Sequence, residues 1–164
     1  MVIWIIGKSG SGKSYLAEKL KLNLVNKYKK IKWVDGDEFR KKFSKDLGYS
    51  LKHRRINSKR IQKYCKLLEK KNYLVICSIL SIFLSHQKQN KKIFKKYIQI
   101  YIKVSLRLLR LRNNKKIYSK TKNVVGKDIL FKEPFKSDLT IKNSFDKSFI
   151  KNISKINDIL QKRL

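Results

Sequence analysis

The stretch of this chain best equipped to do chemistry is Gly7-Lys8-Ser9-Gly10-Ser11-Gly12-Lys13-Ser14. It fits G-x-x-x-x-G-K-[ST], the pattern of a loop that grips phosphate. The spacing has a physical reason. Gly7, Gly10 and Gly12 let the backbone turn tightly and meet an anion with no Cβ in the way. The loop's N–H groups then face the anion, and the helix that follows adds the positive end of its dipole. Lys13 reaches the β- and γ-phosphates, and the Ser14 hydroxyl is a ligand for Mg²⁺. The expected ATP-binding residues are therefore Gly7, Lys8, Ser9, Gly10, Ser11, Gly12, Lys13 and Ser14.

Phosphoryl transfer asks little of a protein beyond positioning and charge neutralisation. A second set of groups could supply the rest. Asp35-Gly36-Asp37 follows the strand-like run Lys30 to Val34. Carboxylates at the end of a parallel strand lie where open α/β sheets bind ligands. Asp35 is placed to order the water shell of Mg²⁺ or to take the proton of an attacking hydroxyl. Arg107, Arg110 and Arg112 lie just before a basic loop, about residues 113–127, that could close as a lid. One of them could neutralise the transferring group; the others read as a solvated helix face.

These groups need a frame. Val2 to Ile6 is an apolar strand, and Leu16, Leu20 and Leu24 after the loop repeat at helical spacing. A short helix is expected over Glu38 to Lys45 and a long basic one over Lys52 to Lys71. Tyr73 to Leu80 reads as a central strand covered on both faces. Then come a polar helix at His86 to Lys96, a strand at Tyr97 to Ile102, and a helix at Leu106 to Arg112 capped by Ser105. Asp138 to Ile141 is a last short strand, and Asp146 to Leu164 a final helix. Strands alternating with helices predict an α/β fold of the P-loop NTPase type, a parallel sheet with helices on both faces. The whole chain reads as one domain.

Net charge is +32, a field that draws anions such as nucleotides or nucleic acid. The lysines are spread over every segment, so most read as solvated faces. No nucleic-acid motif with stacking aromatics accompanies them, which ranks a basic P-loop nucleic-acid-binding protein low. Cys65 and Cys77 have neither metal nor redox spacing and read as buried thiols. The loop begins at residue 7, leaving no room for a signal peptide, and Tyr73 to Leu84 is too short to span a bilayer. A cytoplasmic protein with no membrane partner is expected.

Three further stretches carry a family resemblance. Asp35-Gly36-Asp37-Glu38-Phe39-Arg40, Asp46-Leu47-Gly48-Tyr49-Ser50, and Arg54 with Asn57 resemble the adenylyl-sulfate (APS) kinase family. Arg112-Asn113-Asn114-Lys115-Lys116-Ile117-Tyr118, Val125-Gly126-Lys127-Asp128, Glu133-Pro134 and Asp138 to Ile141 resemble its later part. The resemblance implies an ATP- and Mg²⁺-dependent kinase acting on the 3′-hydroxyl of a 5′-modified nucleotide, as APS becomes PAPS. It implies acceptor-binding roles for Asp37, Arg40, Tyr49, Arg54, Asn57, Leu80, Ser81 and Lys115, with Tyr49 as a base-stacking ring. It places Arg112 with ATP, and it makes Ser81 a candidate catalytic residue beside Lys13 and Asp35. Direct in-line transfer needs no phospho-serine, so Ser81 also reads as a strand-end serine bonded to backbone. The family commonly dimerises, so the resemblance leaves a homodimer open, while the sequence itself does not give the oligomeric state.

The donor half of the pattern is intact and the acceptor half is altered. Ser81-Ile82-Phe83-Leu84-Ser85-His86-Gln87 lacks the arginines usual after the serine, and Val124 stands where a second stacking Phe is usual. Ile79-Leu80-Ser81-Ile82-Phe83 is similar to a subgroup tied to surface-polysaccharide gene sets, which includes cytidine diphosphoramidate kinases. The resemblance leaves both acceptors open.

Overall fold

The computed structural model describes residues 1–112, 122–134 and 136–163. Its centre is the apolar run at the amino end. Val2–Gly7 forms strand β1, buried along its whole length. β2 (Ile31–Asp35), β3 (Leu74–Ile79), β4 (Tyr97–Lys103) and β5 (Leu139–Lys142) join it in one sheet of order β2-β3-β1-β4-β5. All four pairings are parallel.

Alternate residues of a strand face opposite sides of the sheet, and both sides are covered here. Ile3 and Ile5 pack with Leu16, Leu20 and Leu24 of α1 (Lys13–Leu24) and with Ile156 and Leu160 of α6 (Asn152–Gln161). Val2, Trp4 and Ile6 pack the other way, against Ile61, Cys65 and Leu68 of α3 (Leu51–Lys70) and Phe39 of α2 (Gly36–Phe43). Cys65 and Cys77 are both buried free thiols. Helix α5 (Leu106–Arg112) is capped as expected, Leu108 N–H donating to Ser105 Oγ at 3.3 Å. No helix among the described residues is long and apolar enough to cross a membrane.

Two expected helices differ from the structure. The polar helix, α4, runs Leu84–Ile93 and stops before Lys96. Phe94 leaves it in an extended conformation, with its ring 5.8 Å from Tyr97 and 6.0 Å from Trp4. Burying that ring wins over a further helical turn. The last segment begins as a 3₁₀ turn, Lys147–Lys151, capped by Asp146, and only then becomes α6. The tight turn buries Phe149 under the phosphate loop, stacked 6.4 Å from Tyr15.

Between α3, α4 and β4 lies a buried polar layer. Ser58 Oγ and His86 Nδ1 share a hydrogen bond of 2.8 Å, and Gln62 Nε2 donates to Asn90 Oδ1 at 2.6 Å. Burial, then the positive charges of Arg55 and Lys59, holds the His86 pKa below 6.5. The unfolded chain therefore takes up a proton that the folded chain refuses. Stability from this group is complete above 6.5 and is lost as pH falls towards the lower folded value. Denaturant titrations should show a decline of at most about 1.4 kcal/mol per pH unit in that window. His86→Gln should remove that slope.

Candidate active site

The carboxyl ends of β1, β2 and β3 open onto one cavity of about 1620 Å³. The phosphate loop forms one wall. A Cβ on Gly7 would lie 2.8 Å from Ile102 O, and one on Gly12, whose φ is +97°, would lie 2.9 Å from Asn143 Nδ2. Glycine is thus required at both positions to keep the cradle open. Helix α1 starts with no side-chain cap and no acidic residue of its own in its first turn. Lys13 Nζ donates to Lys8 O at 2.8 Å, folding back over the loop. Asn143, just past β5, pegs the loop from behind through Nδ2 to Ser11 O at 3.0 Å.

Asp35 is the hub beside it. Its Oδ2 accepts from Ser14 Oγ at 2.7 Å and from Ser78 Oγ at 2.9 Å. Its Oδ1 accepts from the N–H groups of Asp37 at 3.0 Å and Glu38 at 3.3 Å, which caps α2. Burial alone would raise its pKa. The hydrogen bonds from Ser14, Ser78, Glu38 and Asp37 outweigh that and hold the carboxyl below its ordinary range. An ionised carboxylate beside a hydroxyl oxygen is a donor set suited to a hard cation such as Mg²⁺. The glycine cradle and this pair fit Mg²⁺·ATP.

Most of the expected acceptor residues line the cavity too. Asp37, Arg40, Tyr49, Arg54, Asn57, Leu80 and Ser81 all line the same cavity. Arg40 Nη1 donates to Gly48 O at 2.7 Å, and Arg54 Nε donates to Tyr49 O at 2.9 Å. Their guanidinium groups lie 4.9 and 5.4 Å from the Tyr49 ring centre. Asn57 is 7% exposed, and its Oδ1 has no hydrogen-bond partner among the described residues. Ser81 is buried with φ +45°, a left-handed conformation, and Gln87 Nε2 donates to its carbonyl at 2.8 Å. Val124 also lines this cavity.

Of the three arginines before the expected lid, Arg112 alone lines the cavity, its guanidinium 4.1 Å from the Phe145 ring centre. Lys8 turns its side chain away, towards Val104 O at 3.4 Å and the Phe131 ring. Lys115 and residues 113–121, where the sequence leads to the expectation of a lid, lie outside the described residues.

The profile of the family described as adenylylsulphate kinase matches residues 1–142. The chain belongs to that family. Family relatives with curated names include the cytidine diphosphoramidate kinase of Campylobacter jejuni subsp. jejuni serotype O:2. It is 34% identical over 148 residues, which are 87% of this chain and 86% of that protein. The adenylyl-sulfate kinase of Thermodesulfovibrio yellowstonii is 31% identical over 152 residues, 88% of this chain and 76% of that protein. A solved structure of the Mycobacterium tuberculosis APS kinase with AMPPNP and APS superposes with a TM-score of 0.87 at 26% identity, covering 98% of this chain and 96% of that one. An adenylylsulphate kinase family chain with this cavity is a nucleotide kinase of α/β P-loop architecture.

Sequence reading missed several residues of the site. Ser78 looks like one more strand residue, and its signal is a lone hydroxyl in the apolar run Leu74–Ile79. Asn143 and Phe145 left no signal, because they follow the last strand with no pattern of their own.

Proposed function

We propose that this chain transfers the γ-phosphate of ATP to the 3′-hydroxyl of a 5′-modified nucleotide, with adenylyl sulfate as the acceptor. The observation that carries the reading is the shared cavity, lined by an intact phosphate loop and by Asp37, Arg40, Arg54 and Asn57. Lys13 and the loop N–H groups hold the donor phosphates, and Arg112 with Phe145 flanks the donor side. Ser14 and Asp35 would hold Mg²⁺, Asp35 through water. The bound ion would supply charge neutralisation between the phosphates.

Asp35 works here as an orienting carboxylate and not as a base. Four donors already occupy its two oxygens, and its lowered pKa makes it a poor proton acceptor. A loose transition state needs little base assistance. Ser81 shapes the acceptor wall through its constrained backbone and needs no covalent role. The kinase works where ATP is made available, in the cytoplasm.

A second acceptor, cytidine diphosphoramidate, is favoured by one observation. Val124 lines the acceptor cavity where the resemblance calls for a second stacking ring, so the base there is gripped differently. On that reading the product would serve phosphoramidate modification of a surface polysaccharide. A coupled ADP-release assay with adenylyl sulfate and cytidine diphosphoramidate side by side decides between them. Turnover of neither, in the presence of Mg²⁺·ATP, would sink the proposal.

Arg40→Ala should raise the acceptor KM about ten- to a hundredfold and leave ATP affinity near wild type, since Arg40 holds the Gly48–Tyr49 loop on the acceptor wall. Equal loss of both affinities would remove Arg40 from that wall.

A further inference from the structure

We propose that Ser78, braced by Trp33, is a positioning residue that fixes the Asp35 carboxylate against Ser14. The inference rests on the kinase reading above. Strand register places Ser78 directly beside Asp35 on neighbouring strands. Trp33 lies two residues before Asp35, on the same face of β2. The indole Nε1 donates to Ser78 Oγ at 2.9 Å. An indole N–H can only donate, so the direction of this bond is fixed. The hydroxyl carries one proton, and that proton goes to Asp35 Oδ2 at 2.9 Å. Ser14 Oγ reaches the same oxygen at 2.7 Å. The chain of bonds therefore runs one way, from Trp33 through Ser78 to the carboxylate edge that faces Ser14.

The other carboxylate oxygen is pinned by the N–H groups of Asp37 and Glu38. With Ser78 in place the carboxylate is held from both ends and cannot rotate about its last torsion. Without Ser78, Oδ2 keeps only the Ser14 hydroxyl, the group that must also face the metal. Ser78 is 2% exposed, and its one hydroxyl proton goes to Asp35. A brace of this kind keeps the oxygen donors arranged before the cation arrives, which spares reorganisation on binding.

The test uses the full chain and the variants Ser78→Ala, Ser78→Thr and Trp33→Phe. Electron paramagnetic resonance would follow Mn²⁺ retention in the presence of a non-hydrolysable ATP analogue. Steady-state kinetics would follow turnover with the acceptor that the ADP-release assay identifies. Ser78→Ala should weaken Mn²⁺ retention about tenfold and lower kcat about tenfold, with the acceptor KM unchanged. Ser78→Thr keeps the hydroxyl and should restore both. Trp33→Phe removes the indole N–H together with one ring of the side chain, and should fall between wild type and Ser78→Ala in Mn²⁺ retention. Wild-type Mn²⁺ retention in Ser78→Ala would overturn the brace, as would a Thr variant no better than the Ala variant. A wild-type chain that retains no Mn²⁺ with the analogue would overturn the kinase reading itself, and this inference with it.

Discussion

Lys13→Ala should lower kcat about 10²- to 10³-fold while the melting temperature stays close to that of the wild type. The two effects separate for a structural reason. In the folded chain the ammonium makes a 2.8 Å bond to Lys8 O in a half-buried site. A bond of that kind contributes about 1 kcal/mol to stability, and water can replace it. On the proposed reading the same ammonium faces, during transfer, the charge spread over the moving phosphoryl group, where a fixed cation counts for far more. Lys13→Arg should not rescue it, because a planar fork does not fit a cradle built for a compact charge. Full activity in Lys13→Ala, measured by ADP release, would refute the donor-site assignment.

Asp35→Asn should cost about as much activity and, unlike Lys13→Ala, some stability. The amide has one acceptor oxygen where the carboxylate has two. Either the hydroxyls of Ser14 and Ser78 or the N–H groups of Asp37 and Glu38 would then meet an NH₂ group. Asn caps a helix about as well as Asp, so the amide oxygen turns to the N–H groups of Asp37 and Glu38, and the charge-assisted bonds from the two hydroxyls are the ones lost. On the proposed reading, loss of the negative charge beside Ser14 would also remove the group that orders the water shell of Mg²⁺. A fall in kcat of about 10³-fold with a lowered melting temperature is expected. A variant with normal turnover would show that the carboxylate has no part in transfer.

The donor half of this site was open to reading because its chemistry is local. A phosphate loop is eight consecutive residues whose glycines, lysine and serine each have one job. The sheet was legible for a similar reason: β1 is a continuous apolar run and β3 is apolar apart from Ser78, as doubly covered parallel strands tend to be. The Trp33–Ser78–Asp35 brace was hidden because strand register creates it, joining residues that lie 45 and 43 positions apart. Phe94 misled the eye for the opposite reason. It keeps the helical pattern of α4 in sequence, and only its packing on Trp4 and Tyr97 pulls it out. The acceptor wall sits between these cases, since Arg40 and Arg54 are recognisable singly while their shared grip on Tyr49 is a property of the folded loop.

The Asn143 peg has a consequence for how the molecule comes into being. It joins Ser11 to a residue 132 positions later. The loop around Ser11 thus gains this bond only after residue 143 has been made, however early its own strand and helix form. Asn143 also lies one residue beyond the stretch that the family profile matches. A fragment trimmed at that boundary would keep every residue of the phosphate-binding pattern and lose the anchor that sets the curvature of the loop.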